Sequence, residues 1–542
     1  MSREWNLRTV PAELAARYRA EGLWVDRTLG QWVEASIDRN RSNAFRAYSE
    51  VRPYDGTFGE LDRAARSLAA ALRRQGVGSG SVVVMQLPNW AEAAVTFWAT
   101  AYLGAVIVPV VASYGAKEVD YILRAVTPEV VVTPERFRRT DFLELYEPLL
   151  AEHPDSRWLV VGDTPAAGLP RGAAPLAGLL EGEPVAAPAP VDPHDPAVIA
   201  FTSGTTRDPK GVIHSHLTLA AEVLQAGTRV GDDASGTGPF PLVGSPVGHF
   251  AGMLGAFLRP LLANTEIHLV DVWDPARVLR LMVAHDLTMA GGATYFLTSL
   301  LDHPDFGEEH LRRIPAVGLG GSPVPVAVAR RAAELGIRLF RSYGCTEHPS
   351  STASALDDPE AKRLETDGKP LRGVDLRLDD DGQIITRGPE LFVGYTDPAL
   401  TAAAFDADGW YHSGDVGVLD DDGYLTITDR VTDLIIRGGE NISAQEIEEL
   451  FLTLDGVAEV VVVAEPDERL GERVAAVFTT RPGAPAPTLD QVRDHLRAHG
   501  LGHQKWPASL HHVRDLPRTP SGKVQKYRLR QQLRTGQLEH RV

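Results

Sequence analysis

The segment Phe201-Thr202-Ser203-Gly204-Thr205-Thr206-Arg207-Asp208-Pro209-Lys210-Gly211 puts four hydroxyls, two glycines and one lysine into a single short loop. That composition suits a triphosphate. Hydroxyls and backbone N–H groups donate to phosphate oxygens, glycine lets the backbone approach closely, and lysine supplies a point charge. The loop is not a Walker motif, because Pro209-Lys210-Gly211 stands where that motif needs Gly-Lys-Ser/Thr. Alone, such a Ser/Thr/Gly cluster reads as a turn. What argues otherwise is the set of segments downstream: Gly320-Gly321-Ser322-Pro323, Tyr343-Gly344-Cys345-Thr346-Glu347, Trp410–Asp415 with Arg430, Arg437-Gly438-Gly439-Glu440-Asn441, and Thr519–Lys523.

The elements that must position these groups follow an alternating rhythm from about Ala44 to Leu300. Helix-like stretches (Leu61–Gln75, Asn89–Leu103) intersperse with short apolar runs (Ser81–Gln86, Ala105–Val110), the pattern of an α/β fold with a largely parallel sheet. Asp163–Pro196, rich in Pro, Ala and Gly, reads as a surface connection. Ala197–Phe201 is then a strand feeding the hydroxyl-rich loop, and His216–Val230 a helix. After about Asp375 the texture changes to hairpins. Asp379-Asp380-Asp381-Gly382 and Asp420-Asp421-Asp422-Gly423 separate pairs of alternating strands, and Asp-Gly is a strong hairpin signal. These acidic clusters lack EF-hand spacing and read as solvated turns. A small C-terminal unit starts near Asp429, giving expected domains 1–428 and 429–542. In it Ser443-Ala444-Gln445-Glu446 and Thr488-Leu489-Asp490-Gln491 read as capping boxes, and Gly500 as a helix stop. The expected fold class is therefore α/β: a large N-terminal domain of several subdomains with a β-rich hairpin section, and a small mobile C-terminal α+β domain.

A chain of 542 residues exceeds one hydrophobic core, so several domains are required. A hydrophobic content of 44% with 23% charged residues is that of a soluble globular protein. No apolar run reaches the ~18 residues of a membrane helix, and the segment after Met1 has no signal-peptide core. One cysteine forms no internal disulfide, so a cytoplasmic location is expected. The formal net charge of −18 argues against nucleic acid as a partner while leaving room for small anions held locally. Only seven of the 54 basic residues are lysines, so lysine at Lys210 and Lys523, both in glycine- and hydroxyl-containing loops, stands out against an arginine background.

Together the ordered segments resemble the adenylate-forming superfamily, which includes acyl-CoA ligases, luciferases and peptide-synthetase adenylation domains; the resemblance spans most of the chain. It implies that ATP activates a carboxylic acid as an acyl-adenylate and that coenzyme A takes the acyl group. Thr202, Ser203, Gly204, Thr205, Thr206 and Lys210 would cradle the departing pyrophosphate. Glu347 would help hold Mg²⁺, which is satisfied by one or two carboxylates plus phosphate oxygens. Tyr343 would stack on adenine beside the wall Gly320-Gly321-Ser322-Pro323, with Gly344 in the same turn, and Thr346 would bond a phosphate oxygen. Asp415, an acceptor-only carboxylate, would take the ribose hydroxyls with help from Arg430. Lys523 would bridge carboxylate and α-phosphate, the kind of donor worth about 2.7–4 kcal/mol of barrier. The loop Gly438-Gly439-Glu440-Asn441 would line the pantetheine channel, with Arg437 and the basic tail near the CoA phosphates. His249, in Pro246–Gly252, falls where the family places a gate to the acyl pocket. Each of these residues alone reads more blandly, as a turn, a surface carboxylate or a rim aromatic; their order carries the reading. Cys345 is not read as a nucleophile, since no base in the sequence pairs with it.

Two positions depart from the family pattern. Arg207 replaces the usual glycine, at a cost of about 1–2 kcal/mol if that slot needs φ > 0. Thr432 stands where relatives carry Asp or Lys as the pivot of the small domain. Arg207 motivates an alternative in which adenylation is impaired and the chain thioesterifies an acyl-adenylate supplied by a separate partner enzyme. A second alternative loads a separate carrier protein. The glycines Gly252, Gly255, Gly318 and Gly320 near the expected pocket leave two options open: room for a bulky acyl group, or backbone packing.

Overall fold

The computed structural model describes residues 5–202, 209–229, 239–430, 433–437, 440–467, 469–519 and 522–538. Ser203, Gly204, Thr205, Thr206 and Arg207 of the hydroxyl-rich loop lie outside the described residues, as do Thr432, Gly438 and Gly439.

The valine-rich runs become the centre of an eight-stranded sheet. Its strands run in the order Gly394–Tyr395, Lys210–Ser215, Pro196–Thr202, Val106–Pro109, Val82–Met85, Val130–Pro134, Arg157–Val161 and Ala173–Pro175. The central strands pair in parallel, and Val82–Met85 and Val106–Pro109 are buried throughout. Burial on both faces is what permits an unbroken β-branched run in a parallel sheet. Helices Phe58–Arg74 and Ala91–Leu103 sit between this sheet and a second one built around Ala44–Tyr48 and Ile267–Val270; one continuous core joins Val83, Phe97, Trp98, Phe45 and Ile267. Helices Ala116–Val126 and Phe142–Glu152 cover the opposite face. Every residue of Ala91–Leu103 except Glu92 is buried, as its place between two sheets requires.

A third sheet carries Ala316–Gly320 beside Arg338–Tyr343, paired in parallel. A four-stranded antiparallel sheet follows, in the order Asp375–Leu378, Gln383–Arg387, Tyr411–Leu419 and Leu425–Arg430. Both Asp-Gly hairpins form as expected. Asp379 Oδ1 accepts from the N–H groups of Asp381 and Gln383, and Asp420 Oδ1 from those of Asp422 and Tyr424, so these acids make the turns. The small C-terminal domain is a sheet of Glu440–Ile442, Ile435–Arg437, Gly471–Thr480 and Val457–Asp467, with Ser509–His512 added in parallel, under helices Ala444–Phe451, Leu489–Ala498 and Lys526–Arg534. The chain is thus a mixed α/β protein with a large N-terminal and a small C-terminal domain.

Local differences have local causes. The helix expected over Leu61–Gln75 starts earlier, at Phe58, because Thr57 and Glu60 form a capping box. The Ser443 box is only half made. Ser443 Oγ accepts from the Glu446 N–H at 3.2 Å, but the Glu446 carboxylate pairs with Lys505 at 2.5 Å. The Thr488 box forms in full. The connection Asp163–Pro196 is not wholly irregular, since Ala173–Pro175 adds an edge strand.

Candidate active site

Asp415 and Arg430 are cross-strand partners in the antiparallel pair Tyr411–Leu419 and Leu425–Arg430. Register alone therefore brings them together, and Arg430 Nε donates to Asp415 Oδ1 at 2.5 Å. Tyr343, at the end of its strand, donates its phenol to Asp415 Oδ2 at 2.8 Å. Asp415 is buried, and both its oxygens are met by strong donors. Burial, reinforced by the Asp415 charge, holds the Tyr343 phenol well above its ordinary range, so it remains a donor. The Arg338–Tyr343 strand also pairs Gly320 with Ser342, which places the Gly320–Pro323 turn beside Tyr343. Gly321 has φ +72°, the left-handed region that glycine enters without strain. Ser322 Oγ accepts from the N–H of Thr294 at 3.3 Å, and Pro323 O accepts from its hydroxyl at 2.9 Å.

The strands around the hydroxyl-rich segment are organised differently. Thr202 and Lys210 face one another across the hairpin that carries the hydroxyl-rich loop. Lys210 Nζ lies 5.6 Å from the centre of the Tyr395 ring, whose hydroxyl donates to Glu347 Oε1 at 2.8 Å. Tyr395 thus links Lys210 to Glu347, and nothing in the sequence reading pointed to it. Its signal lies in pairing: Gly394–Tyr395 adds to the edge of Lys210–Ser215, with Tyr395 opposite Val212. His214 was missed too. Its Nε2–H donates to Thr346 O at 2.8 Å and its ring stacks on Phe250 at 4.7 Å. Burial pushes His214 down to about 4, so it stands neutral with its proton on Nε2. Thr346 and Glu347 are held from behind by these contacts. Among the described residues no cluster of three His, Cys, Asp or Glu side chains could hold a metal alone. A single buried carboxylate, Glu347, fits Mg²⁺, whose remaining ligands would be phosphate oxygens and water.

Lys523 reaches this centre from the small domain. The Arg430 charge, then burial, pushes its ammonium down to about 8, with Asp415 opposing. It nonetheless keeps a solvent-exposed surface. His249 stands just before helix Phe250–Phe257; burial, with Lys523 adding, pushes it down to about 4, so its ring is neutral at pH 7. The loop ahead of it hangs on Asn89, another residue the sequence reading passed over. The Asn89 amide donates to Ser245 O and Val270 O at 3.0 Å and accepts from the Val247 N–H at 2.9 Å. Cys345 is half-buried, and burial together with Glu347 and Asp415 pushes its thiol up, away from a nucleophile's range. Arg437 is apart from this centre: its Nη1 donates to Gln504 O at 2.5 Å, on the small domain. Glu440 is the register partner of Arg437 in the antiparallel pair Ile435–Arg437 and Glu440–Ile442.

The fold and these contacts define an adenylate-forming enzyme. The AMP-binding enzyme family matches residues 38–396 and the AMP-binding enzyme C-terminal domain residues 446–523. The chain belongs to the AMP-binding enzyme family. It is 31% identical over 547 residues to a medium-chain fatty-acid–CoA ligase of Escherichia coli (strain K12), covering 98% of this chain and 95% of that protein. It is 35% identical over 492 residues to 3-[(3aS,4S,7aS)-7a-methyl-1,5-dioxo-octahydro-1H-inden-4-yl]propanoyl:CoA ligase of Rhodococcus jostii (strain RHA1), covering 88% and 93%. The ATP-bound crystal structure of MatB from Rhodopseudomonas palustris superimposes with a TM-score of 0.80 at 27% identity, over 93% of this chain and 98% of that one. The chain is therefore an acid–thiol ligase of the acyl-CoA synthetase group, working through an acyl-adenylate with ATP and CoA. No helix among the described residues is long and apolar enough to cross a membrane.

Proposed function

We propose that this chain converts a carboxylic acid with a bulky apolar acyl group to its CoA thioester in two steps, using the residues assembled above. The observation that carries the reading is that Asp415, from the large domain, gathers the Tyr343 phenol at 2.8 Å and Arg430 Nε at 2.5 Å, and that its charge also acts on Lys523 of the small domain. A carboxylate oxygen attacks the α-phosphorus of ATP and pyrophosphate leaves. Lys523 bridges the incoming carboxylate and the α-phosphate, where a fixed positive charge lowers the barrier most. Thr202 and Lys210, with Ser203, Gly204, Thr205 and Thr206, receive the pyrophosphate. Asp415 takes ribose hydroxyls on its unused lone pairs, Tyr343 stacks on adenine against Gly320–Pro323, and Thr346 bonds a phosphate oxygen. Bound Mg²⁺ neutralises phosphate charge, and Glu347 would hold it. The CoA thiol then attacks the acyl carbon and AMP leaves. For this step the small domain, taken to begin at Asp429, turns to present Gly438, Gly439 and Glu440 to pantetheine, with Arg437 near the CoA phosphates.

Support for a bulky acid comes from helix Phe250–Phe257. Ala251 and Gly255 share one face; Ala251 is exposed, and a Cβ at Gly255 would meet nothing within 4 Å. The related enzymes named for medium-chain and bicyclic acids point the same way. A cytoplasmic setting fits the CoA and ATP requirement.

AMP release over a panel of carboxylic acids, with and without CoA, tests the proposal; no thioester from any acid or from any preformed adenylate would defeat it. Arg207 favours a second reading, in which adenylation is weak and a separate enzyme supplies the adenylate. ATP–pyrophosphate exchange with the accepted acid separates the two. Robust exchange by the native chain removes the second reading, whereas exchange gained only in Arg207→Gly favours it. Mass analysis of products formed with CoA or with a phosphopantetheinyl carrier protein decides between a free and a tethered thiol.

A further inference from the structure

We propose that Tyr295 is the pad on which the Lys523 turn docks, and that it positions Lys523 for adenylate formation and not for thioester formation. The inference rests on the two-step reading above. Tyr295 lies in helix Thr294–Leu301 of the large domain. It directly follows Thr294, which bonds both Ser322 and Pro323, so the backbone under its ring is tied to the turn beside Tyr343. From the small domain, Gly522 comes so near that a Cβ on it would lie 3.2 Å from both Cβ and Cδ1 of Tyr295. Arg518 reaches the same ring, its guanidinium carbon 5.4 Å from the centroid.

That guanidinium also braces the turn. Arg518 Nη1 donates to Gly522 O at 2.8 Å, and Nη2 pairs with Glu459. Thr519 N donates to Lys523 O at 2.7 Å, Lys523 N to Thr519 Oγ1 at 3.1 Å, and Gly522 N to Thr519 O at 2.9 Å. The turn is thus held internally by hydrogen bonds, and Tyr295 is where the large domain touches the residue preceding Lys523. Gly522 has φ +86°, and its missing side chain leaves the gap that the ring fills. Because Tyr295 and Arg518 belong to different domains, any rotation that carries Lys523 out of the cleft separates them. The contact therefore contributes to one pose of the small domain and to neither chemical step directly. Tyr295 is a positioning residue: it touches Gly522 and sets where Lys523 enters.

The test separates the half-reactions. Octanoate serves as the acid probe and chemically made octanoyl-adenylate as the preformed intermediate. Tyr295→Ala is expected to lower octanoate-dependent ATP–pyrophosphate exchange about 10- to 100-fold, as misplacement of a catalytic group does, while octanoyl-CoA formation from octanoyl-adenylate and CoA stays within about twofold of the parent. Tyr295→Phe, which keeps the ring, should restore exchange. A readout without substrate accompanies these: in the ligand-free protein, hydrogen exchange of the 518–525 segment should quicken in Tyr295→Ala and not in Tyr295→Phe. Equal loss of both half-reactions, or of neither, overturns the proposal, as does unchanged hydrogen exchange. If the parent enzyme makes octanoyl-CoA from neither octanoate nor octanoyl-adenylate, the assignment of substrate or function fails instead. The hydrogen-exchange comparison then still decides the docking role.

Discussion

The Tyr343 phenol donates to Asp415 Oδ2 at 2.8 Å, joining the Arg338–Tyr343 strand of the third sheet to the antiparallel hairpin that carries Arg430. One bond therefore couples the proposed base-stacking surface to the proposed ribose acceptor. Tyr343→Phe keeps the ring and deletes the donor. Hydrogen bonds to charged groups contribute about 1.5–3 kcal/mol. The expected outcome is a rise in KM for ATP of about tenfold or more with kcat little changed, since the lost contact serves ground state and transition state alike. Tyr343→Leu, which also removes stacking, should raise KM further. Steady-state kinetics against ATP checks both, and an unchanged KM in Tyr343→Phe would separate the phenol from nucleotide binding.

The depressed ammonium of Lys523 gives a pH signature. Its group in the free enzyme titrates near 8, because the Arg430 charge and burial disfavour the charged form. In the proposed mechanism the charged form is the active one in adenylation, so kcat/KM for that half-reaction should be level below pH 8 and fall about tenfold per unit well above it. Replacing Arg430 by Gln removes the main cause, so the midpoint should move toward the ordinary lysine value near 10.4. Thioester formation from a preformed adenylate should not show this limb. Exchange assays from pH 6 to 10 read the midpoint directly; a midpoint that stays put in Arg430→Gln would assign the limb to another group.

Tyr395 stands between Lys210 and Glu347 and donates to the latter at 2.8 Å. Groups that orient a metal-holding carboxylate change metal affinity about 10- to 100-fold when removed. Tyr395→Phe should therefore raise the Mg²⁺ concentration giving half-maximal rate by about that factor, while leaving the ring under Lys210. Titrating MgCl₂ at saturating ATP measures it. Equal Mg²⁺ curves for variant and parent would leave Tyr395 a packing residue only.

Much of the framework was legible because it is written in local signals. Alternating apolar runs marked the parallel sheet, Asp-Gly marked both hairpins, and Thr488 with Gln491 marked a helix start. Asp415 and Arg430 were legible as separate motif residues, but their pairing depends on the register of a hairpin with a bulge between Val416 and Gly417. Asn89, His214, Tyr295 and Tyr395 were not legible. Each acts across a large sequence separation, through contacts that only the tertiary arrangement creates. Asn89 is one residue within a helical stretch until the loop at 243–247 folds onto it. The half-formed Ser443 box is the reverse case, in which a correct local signal loses one bond to Lys505, a distant competitor.

Gly252 and Gly255 look alike in the sequence, three residues apart on helix Phe250–Phe257, and the structure gives them opposite roles. A Cβ on Gly252 would lie 2.0 Å from Pro246 O, in backbone that cannot yield. Gly252→Ala should therefore distort the turn leading into His249, lowering the unfolding midpoint and activity with every acid. Overpacking of this kind costs about 1–3 kcal/mol. A Cβ on Gly255 would meet nothing within 4 Å. Gly255→Ala should be neutral or stabilising by up to about 0.5–1 kcal/mol, because alanine loses less chain entropy in a helix. If the open space beside Gly255 is acyl pocket, Gly255→Phe should keep stability while shifting preference toward shorter acids; each methylene excluded from an apolar site costs roughly 0.8 kcal/mol, about fourfold in kcat/KM. Rates measured along a series of straight-chain acids from butanoate to dodecanoate would show a maximum displaced by several carbons. A Gly255→Phe profile parallel to that of the parent enzyme would place the acyl group elsewhere.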